Sequence, residues 1–413
     1  MTNYDVIEAY VEDFTRFNHY AYRGSIDRTP NKIVITESKT DVLNIIENIN
    51  TSTNDIVIKV TGVSEELKLF VQDINSVRQY ISKDGVYKFT NNGYQYFGFG
   101  INKVISGINV VIEQLPTSIL KDFSGNGNHA YLYGGKGKLN SGMGLYKVDF
   151  TSWRKSSVQT EVKPDVVKVT PNTSNYLFVQ YASSAEIPSY KIKVIGLGDN
   201  VLKYQYATEN GRKEINIVEG ENELPTSIKV SNDYQIGYRL TPGTSVFTIT
   251  QIPDYPDQLC YDGSMCAVVY EFPILTDYTI IADRTWFNIR DISCFIGKRN
   301  TSEDNLGAFE FEFRANRTFS FGGNNVIIFA DNNIVYQTKN SYNGTEIKPG
   351  SLDDTDVLII GAAQRNVNNK IQDPYIGCHG NILIFNRTLT EYELSWVKNN
   401  MMCSKPQEPD IDL

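Results

Sequence analysis

Histidine and tryptophan are nearly absent from this 413-residue chain, which carries three of each. The histidines are His19, His129 and His379, and no G-x-S-x-G elbow accompanies them, which leaves little material for a Ser-His-Asp site. Glycine runs such as Gly134-Gly135-Lys136-Gly137 lie among strand-like segments, and neither a Walker loop nor a dinucleotide fingerprint precedes a helix. Cysteine is scarce and odd in number: Cys260, Cys266, Cys294, Cys378 and Cys403, all in the C-terminal part, with no CxxC pair. Free structural thiols are the expectation, rather than a disulfide framework or a zinc site. No apolar run approaches about 18 residues, so no membrane span is expected. Residues 1–20 lack a basic start followed by an apolar core, so no secretory signal is read there. The formal net charge of −9 makes the nucleic-acid backbone a poor partner.

Against these absences stand 26 tyrosines, 20 phenylalanines and 30 glycines with only five methionines, a composition of strands and turns. Hydrophobic residues at 41% and charged residues at 21% suit a globular protein, and the length suits two to four domains of about 150 residues each.

An internal repeat organises the chain. Ile58-Lys59-Val60 matches Ile192-Lys193-Val194, an offset of 192 − 58 = 134, and Ile33-Val34-Ile35-Thr36 matches Val167-Lys168-Val169-Thr170 at the same offset. Gly93-Tyr94-Gln95 then resembles Asp233-Tyr234-Gln235, and Ile112-Glu113-Gln114-Leu115-Pro116 resembles Thr250-Gln251-Ile252-Pro253. Four matches in one order predict two related modules, 31–116 and 165–256. Asp41–Asn50 has helical periodicity, but its counterpart Asn175–Ser184 (NYLFVQYASS) reads as a strand, so both are expected to be strands. Short strands at about 8–12-residue spacing predict immunoglobulin-like sandwiches.

The remaining segments carry a weaker set of motifs. Lys121–Ala130 reads KDFSGNGNHA, followed later by Tyr261-Asp262-Gly263-Ser264, Tyr278–Ala282 (YTIIA), Leu358-Ile359-Ile360-Gly361, Tyr375-Ile376-Gly377, Gly380–Phe385 (GNILIF) and Asn386–Val397 (NRTLTEYELSWV). In order and spacing the set resembles the concanavalin A-like, laminin G-like domain. The resemblance implies a lectin-type jelly roll in two pieces, 117–153 and 257–403, split by the second module, with a tail at 404–413. In the closing segment Thr390 and Glu393 fit a capping box, Leu389 and Leu394 a hydrophobic staple, and Trp396 and Val397 are expected to face inward with Leu394.

Catalytic and metal chemistry finds little footing. β-Glucan-cleaving enzymes of this fold carry an E-x-D-x-E strand, whereas Phe309–Phe313 (FEFEF) places Glu310 and Glu312 on one face without the Asp, so a solvated outer face is expected. Asp122, Ser124, Asn126 and Asn128 alternate as calcium ligands do, but Asn-Gly pairs are also turn chemistry. Trp286, Tyr342 and Tyr375 could meet a sugar, and each is as readily explained by packing. No catalytic, metal or cofactor-binding residue is therefore assigned, and no enzyme activity is expected.

Residues 1–30 read as an anchoring arm: Val6, Ile7, Tyr10, Val11 and Phe14 recur at helical spacing within Asn3–Phe17, and Tyr20–Pro30 reads as a loop. The expected fold is all-β, with a helical arm, two immunoglobulin-like modules and the laminin G-like jelly roll. In general style this resembles fibre or decoration proteins of tailed phages, including those of gut Bacteroides hosts. The resemblance implies a virion structural protein made in the host cytoplasm, a homo-oligomer such as a trimer. Its arm would contact other virion proteins, and its lectin-like domain would meet host glycans. A bacterial glycan-binding surface protein, a glycoside hydrolase and a purely assembling protein remain the rivals.

Overall fold

The computed structural model describes residues 13–48, 56–72, 78–89, 97–135, 138–155, 159–171, 177–182, 186–229, 235–273, 279–287, 293–298, 357–362, 364–365, 371–387 and 389–401, and six strands between 309 and 346 by their backbone. The fold is all-β, closed by one helix among the described residues, Glu391–Met401.

The first module has ten strands among its described residues: β1 (Asn18–His19), β2 (Gly24–Thr29), β3 (Lys32–Ser38), β4 (Ile46–Asn48), β5 (Ile56–Thr61), β6 (Leu69–Gln72), β7 (Arg78–Ile81), β8 (Gly85–Phe89), β9 (Phe97–Ile101) and β10 (Ile105–Gln114). They form two sheets, in the orders β1-β4-β9-β6-β7 and β2-β3-β10-β5-β8. Alternation drives the assembly: in β5, Ile56, Ile58 and Val60 are buried while Val57, Lys59 and Thr61 point the other way. Numbered one to eight in chain order, strands β3–β10 lie as 1-8-3-6 and 2-7-4-5. That is the order of an eight-stranded jelly roll rather than of the expected immunoglobulin module.

The second module repeats the arrangement strand for strand. Its sheets run Arg154–Lys155, Leu177–Ala182, Gln235–Thr241, Val201–Thr208, Gly211–Ile217, and Gln159–Val162, Val166–Thr170, Phe247–Ile252, Tyr190–Ile195, Gly220–Leu224. Gln114 and Gln251, matched in the sequence, pair with Ile58 and Ile192 in equivalent strands, and both are buried. Residues 93–95 lie outside the described residues. The strand pairs that follow put Gly98 level with Gly237, an offset of 237 − 98 = 139 against the 234 − 94 = 140 read from Tyr94 and Tyr234.

Both modules open earlier than residues 31 and 165. Each starts with a 3-10 turn, Phe14–Arg16 and Phe150–Ser152, in the frames Asp13-Phe14-Thr15 and Asp149-Phe150-Thr151. The Asp Oδ1 accepts from the Thr backbone N–H at 3.0 Å and 2.8 Å, and from the Thr hydroxyl at 2.5 Å in both copies. The Phe14 and Phe150 N–H groups donate to the Pro30 and Pro164 carbonyls, each at 2.9 Å. Phe14 and Phe17 lie in the first core, Phe150 and Trp153 in the second. A separate arm over 1–30 and a loop over Tyr20–Pro30 are thus corrected: β1 and β2 belong to the first module's sheets. The expected helix falls mostly on residues 1–12, outside the described residues. Its end is a 3-10 turn because the two aromatics three apart are both drawn into the sandwich. Asp41–Ile45 is a bent segment rather than strand, and of the described residues of that stretch Ile46–Asn48 pair.

A third sandwich contains a seven-stranded and a six-stranded sheet. The first runs Ile119–Leu120, Ala130–Gly134, Met265–Tyr270, Val357–Ile360, Ser293–Lys298, Phe309–Arg314, Arg317–Ser320. The second runs Gly142–Leu145, Asp254–Asp262, Ile376–Phe385, Thr279–Trp286, Asn325–Ala330, Asn333–Thr338. Gly142–Leu145 pairs with Asp254–Asp262, so the whole second module emerges between two neighbouring strands of one sheet. Val148, Phe150 and Trp153, expected in this sandwich, instead enter the second module's core.

The two modules are held differently. Val57, Val86 and Leu115 of the first share an apolar cluster with Tyr133, Cys266 and Val268 of the seven-stranded sheet. Around it the Val86 N–H donates to Glu271 at 3.1 Å, and the Lys59 ammonium lies 4.7 Å from the Tyr270 ring centroid. Among the described residues, the second module's core draws on residues 148–249. At its tether the Gln251 amide accepts from the Lys147 and Val148 N–H groups and donates to the Val148 carbonyl.

Candidate functional site

The residues singled out in the sequence do not converge. Asp122 spends its carboxylate on its own loop: it accepts from the Ser124 N–H at 2.8 Å, the Ser124 hydroxyl at 2.9 Å and the Asn128 N–H at 2.9 Å. The Asp122 N–H in turn donates to His129 Nδ1 at 3.0 Å, so the alternating oxygens serve a turn. Among the described residues no three His, Cys, Asp or Glu side chains are grouped to hold a metal. Tyr375 is fully buried, with its hydroxyl 2.7 Å from both the Thr285 and the Cys378 carbonyl and donating to one of them, which makes it packing rather than a platform. The side chains of Trp286, Glu310, Glu312 and Tyr342 lie outside the described residues, although the backbone register sets Glu310 opposite Gly297 and Glu312 opposite Cys294.

The closing helix holds its capping box: the Glu393 N–H donates to Thr390 Oγ1 at 3.3 Å and the Thr390 N–H to Glu393 Oε2 at 2.8 Å. Leu389 and Val397 are buried with Ile281, and Leu394 packs against them. Trp396 is 53% exposed, against the expectation of an inward ring. One residue before Val397, it stands about 100° round the helix from that buried stripe.

The three histidines remain apart. His19 Nε2 shares a hydrogen bond with the Gly24 carbonyl. His379 is 4% exposed, with Nε2 3.0 Å from the Tyr261 hydroxyl and Nδ1 2.8 Å from the Gly380 carbonyl. Burial pushes its pKa down to about 4, so the ring is neutral at pH 7.

The surface with chemistry on it is the outer face of the β1-β4-β9-β6-β7 sheet. Strand β9 reads F-G-F-G-I: Phe97, Phe99 and Ile101 enter the core, which leaves Gly98 and Gly100 outward. A Cβ on Gly100 would meet the Phe70 ring at 2.2 Å, and one on Gly98 would meet the Asn44 amide at 2.6 Å. The two glycines therefore let Phe70 and the 41–45 segment lie close on the sheet. Phe70 is buried there beneath Tyr80, with ring centroids 6.0 Å apart, and the Arg78 guanidinium sits 4.6 Å from the Phe70 centroid while donating to the Val42 carbonyl. Tyr80, Val42 and Leu43 stay 54%, 53% and 43% exposed.

The same face is polar at its other end. Glu47, opposite Gly98, accepts from the Tyr20 hydroxyl at 2.7 Å and the Asn44 amide at 2.8 Å. The bond to Glu47 raises the Tyr20 pKa. Arg23 lies 4.1 Å and 5.1 Å from the Tyr20 and Tyr22 centroids, and donates to the Asn44 carbonyl at 3.1 Å. Tyr22 is 69% exposed. Asn44 is 7% exposed, and neither its Oδ1 nor Arg23 Nε has a hydrogen-bond partner. The result is an aromatic surface beside a fixed carboxylate, with the unpartnered Asn44 Oδ1 and Arg23 Nε buried beneath it.

The repeat supplies an internal comparison. Pairing places Phe70 opposite Gly100 and Tyr80, and in the second module Lys203 opposite Arg239 and Asn216. There Glu214 bridges Lys203 at 3.4 Å and Arg239 at 3.3 Å. One scaffold thus carries an aromatic outer face in the first copy and a charged one in the second. No residue of the first face was singled out in the sequence. The readable signal was Phe97–Ile101, whose alternation puts glycine on one whole side of a strand.

No protein-family model matches the chain, and no curated protein does. Among solved structures, the tandem CBM22-1–CBM22-2 domain of Xyn10C from Paenibacillus barcinonensis is 11% identical, covering 59% of this chain and 98% of that one, with a TM-score of 0.17. Oxalate decarboxylase from Bacillus subtilis is 7% identical, covering 60% and 77%, with a TM-score of 0.14. At these scores neither likeness carries an argument about this chain.

Proposed function

We propose that the chain is a glycan-binding structural protein of a virion, a fibre or decoration component, whose first module meets the glycan with its outer sheet face. The aromatic face in one copy and the charged face in the other carry this reading: Phe70, Gly100 and Tyr80 stand where Lys203, Arg239 and Asn216 stand in the repeat. A tyrosine floor suits the apolar side of a pyranose, and the Glu47 carboxylate and Arg23 guanidinium suit its hydroxyls. The virion placement rests on the sequence resemblance, and a row of sandwiches suits holding such a face away from an anchor.

An array of bacterial surface polysaccharides tests the binding. The full chain should bind, the Tyr22→Ala/Tyr80→Ala variant should lose about tenfold or more in affinity with its thermal midpoint unchanged, and Lys203→Ala should bind as the parent does. Absence of binding by the full chain, or binding indifferent to the double variant, overturns the reading. Detection of the chain in purified phage particles tests the virion placement.

A further inference from the structure

Two of the five cysteines are brought together by the fold. Cys260, in Asp254–Asp262, stands directly opposite Cys378, in Ile376–Phe385, on neighbouring antiparallel strands. Directly opposed residues in such a ladder have Cα atoms about 4.5–5.5 Å apart, inside the span a disulfide requires. Their strand neighbours Leu259, Tyr261 and His379 turn to the other side of the sheet, where Leu259 and Tyr261 join the core cluster. The two sulfurs therefore share the outer side. Both are free thiols and fully buried. The Cys378 thiol donates to Gln258 Oε1 at 2.9 Å, and the Cys260 thiol to the Gln258 carbonyl at 3.8 Å. A hydrogen bond with Cys378, together with burial, pushes the Cys260 pKa far up, so in the folded chain it is a thiol and not a thiolate. Of the other cysteines, Cys266 belongs to the cluster under the first module, Cys294 is buried in Ser293–Lys298, and Cys403 lies outside the described residues.

We propose that Cys260 and Cys378 are a dithiol that closes to a cross-strand disulfide when the chain meets an oxidising low-molecular-weight disulfide, independently of any glycan bound. The exchange balances with glutathione disulfide. One cysteine thiolate attacks it and releases one glutathione thiolate, leaving a mixed disulfide. The second cysteine thiolate then displaces the second glutathione, so two protons and two electrons leave the protein and one glutathione disulfide becomes two glutathione molecules. Because both sulfurs are buried in the folded chain, exchange there waits on strand opening and is slow, while during refolding it is fast. The bond would staple the strand that leaves the second module to the strand that leads to the closing helix.

The test is to refold the full chain in a glutathione disulfide/glutathione mixture, alkylate the remaining thiols and map peptides without reduction. The expected result is a Cys260–Cys378 linked peptide, alkylated cysteines falling from five to three, and a thermal midpoint higher by on the order of 5 °C than in reduced chain. The Cys266→Ser variant should keep the linkage, and Cys260→Ser should lose it. Five alkylated cysteines after refolding, or a linkage to Cys266, Cys294 or Cys403 instead, overturns the proposal, and this peptide map of the parent chain needs no variant to fold.

Discussion

His379 shows how one buried polar group ties the fold to pH. Its ring lies against Tyr261 and Phe295 in the third sandwich, with centroids 5.4 Å and 5.8 Å away. Its folded pKa of about 4 lies below the ordinary value of 6.5. The unfolded chain therefore takes up a proton first as pH falls. The contribution of the neutral ring is fully present above pH 6.5 and is lost as pH falls toward 4, amounting to about 3 kcal/mol at most. Thermal midpoints should drop across that window, and His379→Gln should flatten the slope between pH 6.5 and 4. An unchanged slope would place the acid sensitivity elsewhere.

At the scale of the element, the Asp-Phe-Thr turn is the device that starts each module. It is short, yet it directs an aromatic side chain into the core and hands the chain to the first edge strand. Asp149 Oδ1 accepts from both the Thr151 N–H and the Thr151 hydroxyl. Asp149→Ala should therefore cost about 1 kcal/mol, as loss of a cap does. Chemical denaturation of the second module reads this directly, and Asp13→Ala should act alike in the first. The turn is written twice in the sequence as a D-F-T triplet, but in the first copy it lies at the end of a run with helical periodicity through Val6, Tyr10 and Phe14. A helix and a 3-10 turn both place residues three apart on one side, and only the sandwich they enter distinguishes them.

On the scale of the whole molecule, the two copies differ in what holds them. The second module's core is self-contained, whereas the first shares apolar surface with the seven-stranded sheet. A fragment spanning 146–253 should therefore fold alone, with a cooperative thermal transition by circular dichroism. An oligomerisation test of the N-terminal segment must begin the shortened chain at Asp13, because a start at Asn31 removes the strands Asn18–His19 and Gly24–Thr29 along with Phe14 and Phe17. The chain from Asp13 should keep the parent's strand signal, and the chain from Asn31 should lose part of it and aggregate.

By itself the sequence determined the all-β class, the existence of two related modules and the capped closing helix. Each of these is written in local alternation, in a matched run such as Ile58-Lys59-Val60 and Ile192-Lys193-Val194, or in a Thr-x-x-Glu spacing. The tertiary structure decided the jelly-roll strand order, the true start of each module, the outward turn of Trp396, the meeting of Cys260 with Cys378, and the aromatic face over Gly98 and Gly100. Apart from Trp396, which the helix turns away from the buried Val397, those depend on which strands pair across long separations. Pairing is set by the joint burial of many side chains at once, and no local run of residues carries it.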